Sequence, residues 1–80
     1  MKLKKLALKE PVLENALKKL EEATKALKED YTQENSRKQG EAHYTAFGFI
    51  WGYFRAGGIT ENKREELIAE LFEIQGITPW

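Results

Sequence analysis

Apolar positions recur at helical spacing along most of the chain. Leu13, Leu17, Leu20, Thr24, Leu27 and Tyr31 alternate steps of four and three residues, with Ala16 and Ala23 widening the stripe. Pro11 suits the first turn of a helix, where its missing N–H costs nothing. Glu14 with Lys18 and Glu21 with Lys25 form favourable i,i+4 pairs. These features predict helix 1 over about 11–30. Leu3 and Leu6 continue the stripe backwards, so the helix is free to begin earlier and bend at Pro11. The lysine-rich residues 2–9 otherwise read as a short helix, a frayed arm or an edge strand. Thr32 is placed to cap helix 2, over about 33–56, and Gly57-Gly58 to stop it. Thr60 is placed to cap helix 3, over about 61–75, whose apolar face is Leu67, Ile68, Leu71, Phe72 and Ile74. Gly76 ends that helix. Pro79 and Trp80 follow, with the tryptophan expected to fold back onto an apolar groove.

The second helix carries the most distinctive stretch. Residues 44–54 hold six of the chain's nine aromatic side chains and two glycines four positions apart. At 100° per residue, Tyr44, Phe47, Ile50, Trp51 and Phe54 share one broad face. Ala42, Ala46, Phe49, Tyr53 and Ala56 fall on roughly the opposite face, with Gly48 and Gly52 on a flank. A helix apolar nearly all round must be covered nearly all round. His43 and Arg55 bracket the apolar run at about half of the ~20 residues that a membrane span needs. The run therefore predicts a central helix, buried by its neighbours or by a partner, and no membrane span. Short connections predict neighbouring helices packed antiparallel or at a steep angle. The fold expected is all-α, one domain over residues 1–80: a small three-helix bundle or open helical array with a central aromatic-rich helix.

Composition narrows the chemistry. The net charge is zero, but residues 1–40 carry ten Lys/Arg against seven Asp/Glu and residues 41–80 three against six. A neutral total gives no general attraction to nucleic acid or to anionic membrane. Helix 1 also interleaves its lysines with glutamates, the pattern of a solvated face. Nucleic acid is thus an unlikely partner, and any such binding would be non-specific and salt-sensitive. With no cysteine in the chain, disulfides, thiolate catalysis and cysteine–zinc sites are excluded. This fits a reducing compartment. The apolar run Leu6-Ala7-Leu8 is too short for a signal-peptide core, so a cytoplasmic protein is expected.

No constellation suggests catalysis. His43 is the only histidine, and its i±4 neighbours Gln39 and Phe47 offer neither a metal pair nor a triad. Ser36, the only serine, has no base nearby. Gly48 and Gly52 lie within an apolar helix rather than between a strand and a helix, so they make no phosphate loop. Their plainer role is close helix packing; the functional one is a groove for a partner. Glu66, Glu70 and Glu73 form an acidic stripe whose like charges oppose one another at i,i+4, which suggests that it meets a basic surface: the N-terminus of a second copy, or another protein.

The segment Gly57-Gly58-Ile59-Thr60-Glu61 with its leucine-bearing helix resembles the short C-terminal (SHOCT) helical family over residues 53–71. There an acidic pair usually follows the threonine; here Glu61 is followed by Asn62 and Lys63. The resemblance implies oligomerisation or an accessory role rather than catalysis. In general style the chain also resembles small phage or mobile-element proteins that bind and inhibit host machinery. The expected function is a non-catalytic protein–protein interaction module, a small inhibitor or accessory protein, contacting its partner through Tyr44, Trp51, Tyr53, Phe54, Glu66, Glu70 and Glu73. Burial of the rings would supply affinity and the acidic rim orientation. The alternatives are a self-associating homo-oligomer and a weak nucleic-acid binder. No cofactor or metal is expected.

Overall fold

The computed structural model describes residues 1–76. The chain is all-α: α1 (Lys2–Ala7), α2 (Pro11–Glu29), α3 (Gln33–Arg55) and α4 (Glu61–Gln75). The expectations for Pro79 and Trp80 fall outside the described residues.

Local chemistry sets the boundaries. Thr32 Oγ1 accepts the Asn35 N–H at 3.1 Å, and Thr60 Oγ1 accepts the Lys63 N–H at 3.2 Å. Each satisfies one of the donors that a helix N-terminus leaves free. At the end of α3, Gly57 (φ 81°) donates to Phe54 O at 3.0 Å and Gly58 to Tyr53 O at 2.9 Å. This is a Schellman cap, and its left-handed position favours glycine. The Tyr53 ring lies against Gly58, where a Cβ would overlap it.

The N-terminal segment forms the short helix that was one reading of residues 2–9 and adds a fourth helix to the three expected. It does not extend helix 1 through a bend. Proline disfavours helical geometry in the residue before it, and Glu10 is extended (φ −129°, ψ 94°). The chain breaks there, and α1 packs as a separate helix across α2 and α4. Leu3 and Ala7 enter the core, with half-buried Leu6 packed against it.

α2 and α3 form a hairpin through the short Asp30–Thr32 connection. The short connection folds α3 back along α2, and Thr24 and Gln39 hydrogen-bond across the pair, so the two helices run antiparallel. Leu13, Ala16, Leu17 and Leu20 of α2 meet Ala42, Ala46 and Ile50 of α3 and Leu67 and Leu71 of α4 in one cluster. Thr24 is the buried polar exception; its Oγ1 accepts the Gln39 Nε2–H at 3.1 Å, tying α2 to α3. The apolar stripe of helix 1 ends sooner than expected. Leu27 is only half-buried, and Tyr31, beyond the helix end, is 80% exposed. No described helix is long and apolar enough to cross a membrane.

Candidate protein-binding surface on α3

α3 is the central, aromatic-rich helix, yet none of its rings is fully buried. Its core-facing positions are Ala42, Ala46 and Ile50, spaced by four. They occupy the seam between the two ring-bearing faces seen in the sequence. Small side chains there let α2 approach closely, and the rings are displaced to either shoulder.

On the shoulder facing α4, His43, Phe47, Trp51 and Phe54 form a continuous row. His43 stacks on Phe47 (centroids 5.8 Å apart, 27° between planes) and lies 5.5 Å from Phe72 of α4. Phe47 lies 6.2 Å from Trp51, which meets Phe54 edge-on at 6.0 Å. The Arg64 guanidinium sits 4.4 Å from the Trp51 ring centroid and 4.5 Å from that of Phe54. Only 14% of its side chain is exposed, with Glu61 and Glu65 carboxylates at 3.6 and 3.8 Å. Cation–π attraction strengthens when the cation is partly desolvated, as here. The Trp51 Nε1–H and the His43 Nδ1 are buried and make no hydrogen bond among the described residues. Burial holds the His43 pKa below its usual 6.5, and the Gln75 side chain partly offsets this.

The opposite shoulder carries Phe49 and Tyr53, 6.1 Å apart and half-buried. Between the shoulders, facing away from the core, Arg37, Glu41, Tyr44, Thr45, Gly48, Gly52 and Arg55 are all exposed. Tyr44 is 73% exposed. A Cβ added at Gly48 or Gly52 would meet no atom within 4 Å. The plainer expectation for these glycines, close packing between helices of the chain, is therefore overturned. Each costs α3 about 1 kcal/mol relative to alanine, and nothing in the described structure uses the space.

The acidic stripe of α4 is engaged within the chain. Glu66 Oε2 binds Lys2 Nζ at 2.7 Å. The two carboxylate oxygens of Glu70 accept the Lys2 N–H at 3.0 Å and the Leu3 N–H at 2.9 Å. Glu70 thus caps α1, which has no side-chain N-cap of its own. The ion pair lowers the Glu66 pKa and raises that of Lys2. The basic surface that this stripe meets is the chain's own N-terminus; Glu73 is exposed further along. The sequence-predicted partner residues consequently do not form one patch. Tyr44 lies on the outward face, Trp51 and Phe54 on the α4 shoulder, Tyr53 on the other shoulder, and Glu66 and Glu70 beside α1. Sequence reasoning missed Glu41, Arg55 and Arg64. The four-residue spacing of Ala42, Ala46 and Ile50 was the available signal for which side of α3 faces inward.

A second concavity, a groove of about 840 Å³, runs between α2 and α3. Ala16, Ala23, Ala26 and Ala42 line it, flanked by Lys19, Glu22, Lys38 and Glu41. Arg37 also lines it, so its charges are mixed in sign, and no histidine lines it. Among the described residues no three His, Asp or Glu side chains are grouped closely enough to hold a metal ion. Comparison with protein-family models, curated proteins and solved structures returned no match.

Proposed function

We propose that this chain is a non-catalytic protein-interaction module that binds through the outward face of α3 and its aromatic shoulder. One observation carries the reading: α3 fills the core with Ala42, Ala46 and Ile50, packs Phe47 and Phe49 half-buried against it, and leaves Tyr44 73% exposed on its outward face. Aromatic side chains with polar atoms favour interface centres, and the Tyr44 ring is the exposed one on this face. Thr45, Gly48 and Gly52 beside it form a shallow lane along which another helix can lie closely.

In this reading the protein acts by occupying a surface of its target, as a small inhibitor or accessory factor does. The lack of cysteine suits a reducing cytoplasm. Nucleic acid is disfavoured because Lys2 and Lys4, at the basic end, are paired with Glu66 and Glu21 at 2.7 and 2.9 Å. The test is capture of protein from the source cell on immobilised wild type, Tyr44→Glu and Thr45→Lys, with circular dichroism as a folding control. Both variants should lose the captured species while keeping their helix content. Unchanged capture by both would remove this face from consideration.

A further inference from the structure

Resting on that reading, we propose that the partner at the outward face of α3 is a second copy of the chain, crossed antiparallel with Gly48 on the two-fold axis. The order of charges along the face carries the argument. Glu41 and Arg55 lie at its two ends, and Tyr44 and Gly52 lie between them, all exposed. Gly48 is the midpoint of both pairs. An isologous contact about a two-fold axis at Gly48 therefore places Glu41 opposite the partner's Arg55 and Tyr44 opposite the partner's Gly52, each twice.

Glu41, Tyr44, Gly48, Gly52 and Arg55 are all matched by this arrangement. The phenol ring of Tyr44 enters the hollow that the partner's Gly52 leaves. The paired Gly48 positions allow the backbones to approach at the short end of helix packing distances, about 8 Å. A carboxylate meets a guanidinium at both rims. Arg55 forms no ion pair among the described residues, and Glu41 is engaged only by Arg37, one turn earlier on the same helix. The parallel alternative is rejected by the same charges: each residue would meet its own copy, setting Glu41 against Glu41 and Arg55 against Arg55. Like charges opposed in this way suppress the wrong pairing.

One helix crossing buries less than the about 1,200 Å² of a standard interface. The dimer is accordingly a weak one. Because its rims are charged and exposed, it loosens as salt rises and the screening length shortens.

Sedimentation equilibrium of the full chain from about 5 µM to 1 mM tests the proposal. Wild type should move from monomer to dimer. Arg55→Glu should raise the Kd at least tenfold. The double swap Glu41→Arg with Arg55→Glu should return it to within about threefold of wild type. Gly48→Ala separates this contact from a folding effect. In dilute solution it should raise the melting temperature, since nothing among the described residues obstructs the added methyl, and at high concentration it should weaken the dimer. A strict monomer across the range overturns self-association; Tyr44→Glu in the capture experiment then judges the binding face separately. A dimer indifferent to Arg55→Glu, or one the double swap fails to restore, overturns this geometry.

Discussion

Replacing Glu70 by alanine should release α1 while leaving the rest of the bundle in place. α1 has six residues, far fewer than the about 12–15 at which an isolated helix becomes marginally stable, so tertiary contacts must hold it. Beside buried Ala7 and the exposed Lys2–Glu66 and Lys4–Glu21 pairs, two contacts dominate: Leu3, 0% exposed in the core, and the Glu70 carboxylate, which takes the Lys2 and Leu3 N–H groups at 3.0 and 2.9 Å. A hydrogen bond to a charged group contributes about 1.5–3 kcal/mol when well shielded. Here the site is part-exposed and both N–H groups regain water on release, so about 1 kcal/mol each is the appropriate scale. Glu70→Ala should therefore cost about 2 kcal/mol, and Glu70→Gln, which keeps one acceptor oxygen, about half of that. Full burial of a leucine contributes about 1.5–3 kcal/mol; the cap and Leu3 are thus of similar weight, and loss of either undocks α1. Urea denaturation measures the total, and amide exchange at Leu3–Ala7 shows where it falls. Lys2→Ala should have a smaller effect, because its ion pair with Glu66 is half exposed on both sides. Wild-type exchange in α1 of Glu70→Ala, with an unchanged denaturation midpoint, would refute the capping role.

His43 makes stability pH-dependent in a defined window. Its folded pKa lies below 6.5, so its contribution is complete above pH 6.5 and is lost as the pH falls through 6.5 towards the folded value. Glu66, whose folded pKa lies below 4.5, begins to lose its contribution only as the pH falls below that. Thermal melts between pH 7.5 and 5 therefore isolate His43: wild type should melt lower at pH 5, and His43→Phe should flatten the dependence. At Gly58 an alanine Cβ would overlap the Tyr53 ring, so Gly58→Ala should displace that ring from Phe49 and cost about 1–2 kcal/mol by denaturation. Stability equal to wild type would show that the ring yields freely.

Much of the fold was legible because helix ends are decided locally. Thr32, Thr60 and Gly57 cap or stop helices where their chemistry predicts, and helices expected over 33–56 and 61–75 run over Gln33–Arg55 and Glu61–Gln75. The inward side of α3 was not legible. Two ring-bearing faces competed for the core, and the seam of Ala42, Ala46 and Ile50 between them won because α2 packs closely over small side chains. The acidic stripe was opaque for another reason. Glu66 and Glu70 look unfavourable on α4 alone and become explicable only when α1, more than sixty positions earlier in sequence, docks beside them. Local patterns cannot show a contact of that range. Gly48 and Gly52 were visible as glycines, but whether anything filled the space above them required the packed structure.

The most direct test of the binding face is a concentration series of amide NMR spectra of the wild-type chain. Signals of Glu41, Tyr44, Gly48, Gly52 and Arg55 should shift together from dilute to millimolar protein, while core positions such as Leu13, Leu20, Leu67 and Leu71 stay fixed. Shifts confined to the α2 wall of the groove, at Ala16, Lys19 and Ala23, or none on α3 at any concentration, would contradict self-association through this face.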